Sequence, residues 1–116
     1  MQKTDHLIAG KLYRIVQRGN NDEALFFEPA NKIYFKKLAE RHLAPVCTIL
    51  EISAGSSEIS MVVKFKNAEE IPEKFRARLH LPISNLLNSY AKSINKRYGR
   101  NGSLFKVRFE RSELHL

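Results

Sequence analysis

The 116-residue chain is poor in the residues that mark several protein classes: one cysteine, no tryptophan, five glycines, four prolines, and only 12 acidic residues against 20 lysines and arginines. The lone Cys47 excludes an intramolecular disulfide framework and a multi-cysteine zinc site, so nothing calls for an oxidising compartment and a cytoplasmic setting is predicted. The opening residues offer only Leu7-Ile8-Ala9 before Gly10 and Lys11, which is no secretory signal core. No run elsewhere approaches the roughly 20 apolar residues of a membrane span. There are no internal repeats and no low-complexity tract. With 43% hydrophobic residues, the length predicts one compact domain over residues 1–116 with a core of its own and leaves no room for a second. The shortage of acids leaves a net charge of +8. That balance favours a polyanionic partner such as nucleic acid over an acidic substrate pocket or a neutral surface.

The few glycines and prolines punctuate the chain. Residues 11–18 (KLYRIVQR) alternate Leu12, Arg14, Val16 and Arg18 against Tyr13, Ile15 and Gln17, and end at Gly19-Asn20-Asn21. This is a strand followed by a turn. Pro29 suits the first position of a helix, with Ile33, Tyr34, Leu38 and Phe35, Ala39, Leu43 as a broad apolar stripe closed by Pro45. Residues 46–53 and 58–66 are rich in β-branched side chains and flank Ala54-Gly55-Ser56-Ser57, which predicts a hairpin. In the second of these strands Ile59, Met61, Val63 and Phe65 share the core face, while Glu58, Ser60, Val62 and Lys64 share the other. A short helix over residues 72–79 precedes a long one beginning near Leu81, whose stripe is Ile83, Leu86, Leu87, Tyr90 and Ile94 and whose stop is Gly99 with Gly102. Residues 103–114 alternate Leu104, Lys106, Arg108 and Glu110 against Phe105, Val107, Phe109 and Arg111, which predicts a last strand. The order strand, helix, strand, strand, helix, strand is the α+β, ferredoxin-like pattern: an antiparallel sheet with helices packed on it.

The positive charge is concentrated. From Ser84 onward, Lys92, Lys96, Arg97, Arg100, Lys106, Arg108 and Arg111 face only Glu110 and Glu113, so this segment supplies five of the eight net charges. The run from Lys96 to Gly102 mixes cations, Tyr98 and glycines at a helix end. Such a mixture suits gripping phosphates while a ring stacks on an unpaired base. Cations at a helix carboxyl end also simply favour the helix dipole, and the sequence leaves both readings open.

Two stretches carry a family resemblance. Residues 13–21 (YRIVQRGNN), followed by Phe26-Phe27 and a helix, resemble the amino-terminal strand and turn of the single-tyrosine HUH transposases, in particular the REP-associated tyrosine transposase branch. Residues 83–98 (ISNLLNSYAKSINKRY), then Gly102-Ser103-Leu104-Phe105 and Arg108-Phe109, are similar to the tyrosine helix and following strand of that family. The resemblance spans roughly residues 10–114. It implies a protein that works on single-stranded or hairpin DNA. In that family a helix-borne tyrosine attacks a phosphodiester and retains the 5′ phosphate, assisted by a divalent metal between two histidines one residue apart on a strand. Such proteins often dimerise, so a homodimer is also implied.

By the same resemblance Tyr90 falls at the nucleophile, and the histidine pair falls on Glu58 and Ser60 with Ile59 between them. Neither histidine is present. A carboxylate and a hydroxyl would make a poor Mg²⁺ or Mn²⁺ site, and a phenol near pKa 10 has little else to activate it. Tyr90 also sits on the apolar stripe, where a core tyrosine would sit. The residue one turn beyond, where the family keeps another polar metal helper, is Ile94. These departures predict a transposase-like protein that binds single-stranded or hairpin DNA without efficient nicking, and that needs Mg²⁺ or Mn²⁺ only if catalysis survives. The contacting residues would be Arg18, Asn20 and Asn21 at the first strand's end, and Lys92, Lys96, Arg97, Tyr98, Arg100, Lys106 and Arg108. The alternatives are an active single-tyrosine nickase with a metal site rebuilt around Glu58, or a protein or RNA interaction module. His6, His42, His80 and His115 lie in four separate elements with no ligand spacing and read as surface residues. Cys47 reads as a small buried apolar residue.

Overall fold

Alternating strands with one apolar face can bury it only by pairing in register, and the four strands do so. The computed structural model describes residues 6–115, so Met1 to Asp5, part of the opening stretch that holds no secretory signal core, and Leu116 lie outside the described residues. Strands β1 (Leu12–Arg18), β2 (Cys47–Ala54), β3 (Glu58–Phe65) and β4 (Glu110–Leu114) form one antiparallel sheet in the order β2-β3-β1-β4. Helix α1 (Pro29–Leu43) follows β1, the single turn α2 (Glu73–Arg76) follows β3, and α3 (His80–Tyr98) leads to β4. This is the ferredoxin-like arrangement expected from the element order.

Residues opposite one another in the register share a face. Ile15 pairs with Met61 and Tyr13 with Val63, and all four are essentially inaccessible. They meet Phe35, Leu38, Ala39 and Leu43 of α1 and Ile83, Leu86, Leu87, Tyr90 and Ile94 of α3 in one apolar cluster. Each of the buried leucine, isoleucine and phenylalanine side chains contributes about 1.5–3 kcal/mol through burial. The predicted stripe of α3 is therefore its buried stripe. The helix ends where Gly99 adopts φ +61°, a conformation favoured by glycine, and its N–H reaches the Asn95 carbonyl.

The stripe of α1 is rotated from the one predicted. Ile33 is 59% exposed and Tyr34 39%, while Asn31 is buried. The amide oxygen of Asn31 accepts from the backbone N–H groups of Phe27 and Glu28 at 2.7 and 3.1 Å. A capping side chain thus takes the inward position in the first turn, and the buried face runs from it through Phe35, Leu38 and Leu43.

The last strand is shorter than residues 103–114. Only Glu110–Leu114 pair with β1, and residues 103–109 cross the end of the sheet as an irregular segment with a single bridge from Phe105 to Gly19. The cause is parity. Leu104 and Phe109 are both buried, yet they lie five positions apart, and a strand of period two cannot turn both to one side. The chain leaves the ladder instead, and Val107, assigned by alternation to the same face as Phe105 and Phe109, is fully exposed.

Candidate nucleic-acid interface

The residues singled out at the end of β1 and after α3 meet at one rim of the sheet. The backbone N–H of Lys106 donates to the Arg18 carbonyl at 3.0 Å, and that of Asn20 to the Leu104 carbonyl at 2.9 Å. Buried Gln17 ties the two segments further, its side-chain amide donating to the Lys106 carbonyl at 3.0 Å. The turn beyond β1 is tight. A methyl group on Gly19 would lie 2.2 Å from the Glu23 carbonyl oxygen, so only glycine allows this approach. Asn20 and Asn21 follow, and neither side-chain amide has a hydrogen-bond partner among the described residues. They are available to a ligand.

The basic residues at the rim and along α3 divide into two groups. Arg18 bonds Glu110 at 2.7 Å and Glu58 at 3.1 Å. Arg97 bonds Glu28 at 3.0 Å, and Arg100 bonds Glu23 at 2.5 Å. The phenol of Tyr98 also donates to Glu28, and its ring lies 4.8 Å from that of Phe27. Tyr98 first and Arg97 second hold the Glu28 carboxyl below its ordinary pKa. The Arg97–Glu28 and Arg18–Glu58 pairs are open to water on both sides and well screened by it, so a phosphate can displace the carboxylate from them. By contrast, Lys92, Lys96 and Lys106 are exposed and form no ion pair among the described residues. Lys92 and Lys96 stand one turn apart on the same side of α3. Arg108 is exposed beside Val107.

The three residues aligned with a metal-assisted tyrosine centre are not brought together. Tyr90 is wholly buried in the helix layer, with Phe35 at 5.2 Å, Phe26 at 5.6 Å and Phe105 at 6.2 Å between ring centroids. Its hydroxyl donates to the Leu25 carbonyl at 2.7 Å, and burial pushes its pKa well above the ordinary value. The alternation that turns Ile59 into the core sends Glu58 and Ser60 to the opposite face of β3. There Glu58 is bound by Arg18, and the Ser60 hydroxyl accepts from Arg14 at 3.4 Å. One carboxylate and one hydroxyl, each beside a guanidinium, do not fit a divalent cation. Among the described residues no group of three histidine, cysteine, aspartate or glutamate side chains converges.

The carboxylates that restrain the rim, Glu23, Glu28 and Glu110, carry no signal in the sequence, because their partners lie 69 to 92 residues away. Cys47 is buried, and desolvation pushes its thiol up to about 12. No described helix is long and apolar enough to cross a membrane.

No model of a known protein family matches the chain, and no curated protein matches it in sequence. Its fold is similar to that of a solved REP-associated tyrosine transposase bound to a REP hairpin, with a TM-score of 0.70 over the whole of this chain at 6% identity. This chain spans 63% of the length of that one. The likeness is one of fold: an α+β domain with a four-stranded antiparallel sheet, of the kind seen in a tyrosine transposase.

Proposed function

We propose that the protein binds single-stranded or hairpin DNA at the rim formed by the end of β1, the carboxyl end of α3 and residues 102–108, and that it does not cleave the strand it binds. The observation that carries this reading is the convergence at one rim of Lys106, Arg18 and two unpartnered asparagine amides, with Arg100 beyond α3 tied to the same turn by Glu23, on a fold similar to that of a solved transposase that holds a REP hairpin. Lys92, Lys96 and Lys106 supply charge, and Arg18, Arg97 and Arg100 exchange carboxylate partners for phosphates. Asn20 and Asn21 offer donors and acceptors to base edges. Loss of cleavage follows from the burial of Tyr90 and from a donor set at Glu58 and Ser60 that does not suit a metal.

The experiment pairs two readouts on one hairpin oligonucleotide. Fluorescence anisotropy should register binding that weakens as salt rises, and a denaturing gel after incubation with Mg²⁺ or Mn²⁺ should show no protein–DNA adduct. No binding at low salt defeats the proposal, and an adduct that disappears in Tyr90→Phe defeats its second half. Equal affinity for structured RNA would move the partner class from DNA to RNA.

A further inference from the structure

Among the described residues Arg111 has no anionic partner that accounts for its charge. It stands opposite Ile15 in the β1–β4 register and therefore faces the helix layer at the sheet edge. Its guanidinium lies 4.3 Å from the centroid of the Phe109 ring. Its Nε is the single buried side-chain nitrogen or oxygen among the described residues without a hydrogen-bond partner, and no described carboxylate pairs with it. Burial first, and the charge of Arg108 second, lower its pKa. A cation partly withdrawn from water and set near a second cation is costly unless an anion arrives.

The surroundings are built for one. A cleft of about 440 Å³ is lined by His80, Ser84, Val107, Arg108, Phe109 and Arg111. A smaller cleft of about 190 Å³ shares His80 and Arg111 and adds His6 and Arg76. Neither lining contains an aspartate or glutamate. Two of the histidines that the sequence scatters over separate elements, His6 and His80, are gathered in the smaller cleft beside Arg76 and Arg111. Guanidinium, imidazole and hydroxyl donors converging from several directions match the oxygens of a phosphate better than the flat pair of a carboxylate. The cleft also adjoins the rim, because Val107 and Arg108 line both it and the neighbouring groove with Arg18 and Lys106.

We propose that Arg111, with His80, Ser84 and Arg108, holds one backbone phosphate of a nucleic-acid strand that passes from the rim across Val107 to the start of α3. The proposal rests on the nucleic-acid reading of the rim and extends the contact to residues outside it.

Two measurements test it. With a hairpin oligonucleotide at about 100 mM salt, Arg111→Gln should bind roughly tenfold more weakly, the loss of one charged hydrogen-bonded contact. Its log–log salt slope should be shallower by about 0.7–0.9, and Arg111→Lys should recover the slope but not all the affinity. Separately, the imidazole resonances of His80 should shift when the dinucleotide TpT is titrated into the full chain, and not in Arg111→Gln. A shift with inorganic phosphate but none with TpT overturns the strand assignment. Unchanged affinity and slope in Arg111→Gln, together with a motionless His80, overturns the site. If the wild-type chain ignores the hairpin while TpT still moves His80, the rim reading fails and the phosphate site stands. Should Arg111→Gln fail to fold, His80→Gln takes its place, with a roughly threefold loss expected and an unchanged affinity overturning the proposal.

Discussion

Tyr90→Phe separates a structural tyrosine from a chemical one. The substitution keeps the ring and its contacts with Phe26, Phe35 and Phe105, and deletes only the hydroxyl that donates to the Leu25 carbonyl at 2.7 Å. The net loss of one hydrogen bond is about 1 kcal/mol, and an acceptor left dry adds up to about 2 more, so the expected destabilisation is about 1–3 kcal/mol. For a domain of this size each kcal/mol lowers the thermal midpoint by about 4 °C. Urea denaturation followed by circular dichroism measures the loss, and hairpin affinity should be unchanged.

The same variant carries a pH signature. Burial raises the pKa of Tyr90 in the folded state above its ordinary 10.0, so the native chain retains this proton where the unfolded chain loses it. The stabilisation is complete below the unfolded value and is lost as pH rises above about 10, at up to about 1.4 kcal/mol per pH unit. Tyr90→Phe lacks this term, so its deficit against wild type should shrink in alkali. A variant within about 0.5 kcal/mol of wild type at neutral pH, with no narrowing at alkaline pH, would refute the buried, hydrogen-bonded phenol.

Three further outcomes follow from the geometry. Gly19→Ala should cost more than about 2 kcal/mol in the same denaturation assay, because its Cβ would lie 2.2 Å from the Glu23 carbonyl oxygen and the obstacle is backbone. Glu23→Gln and Glu28→Gln, by releasing Arg100 and Arg97, should tighten hairpin binding and steepen its salt slope by about 0.7–0.9 for each arginine released; weaker binding would show that the carboxylates orient these arginines for the ligand. Native Cys47, buried with its thiol pushed up to about 12, should resist a thiol reagent at neutral pH until the chain is unfolded, as absorbance of the released reagent will report.

Much of the fold is legible in the sequence because one-sided burial imposes a period. The faces of β1 and β3 and the stripe of α3 read directly from Tyr13, Ile15, Ile59 to Phe65 and Ile83 to Ile94. Periodicity fails where a polar side chain takes an inward place, as Asn31 does in capping α1, and where two core residues of opposite parity, Leu104 and Phe109, pull a segment out of the sheet. The candidate interface is legible in part. Arg18, Asn20, Asn21 and Lys106 are found together at the rim, yet the carboxylates facing Arg18, Arg97 and Arg100 belong to distant segments and appear only in three dimensions. Tyr90 shows the same limit. Its position on the apolar stripe admits both a core and a catalytic role, and the hydrogen bond to Leu25 depends on a loop 65 residues away.

The most direct measurement is a salt titration of hairpin binding for wild type beside Lys92→Gln/Lys96→Gln/Lys106→Gln. These three lysines have no ion pair among the described residues, so their removal should leave stability nearly unchanged. Each is expected to release about 0.7 of a counterion on a single strand, so the log–log slope should flatten by about 2. Wild-type binding at low salt that weakens with this flattening supports a strand that runs over Lys106 at the rim and the exposed lysines of α3. No binding at low salt, or a slope that the triple variant leaves unaltered, contradicts it.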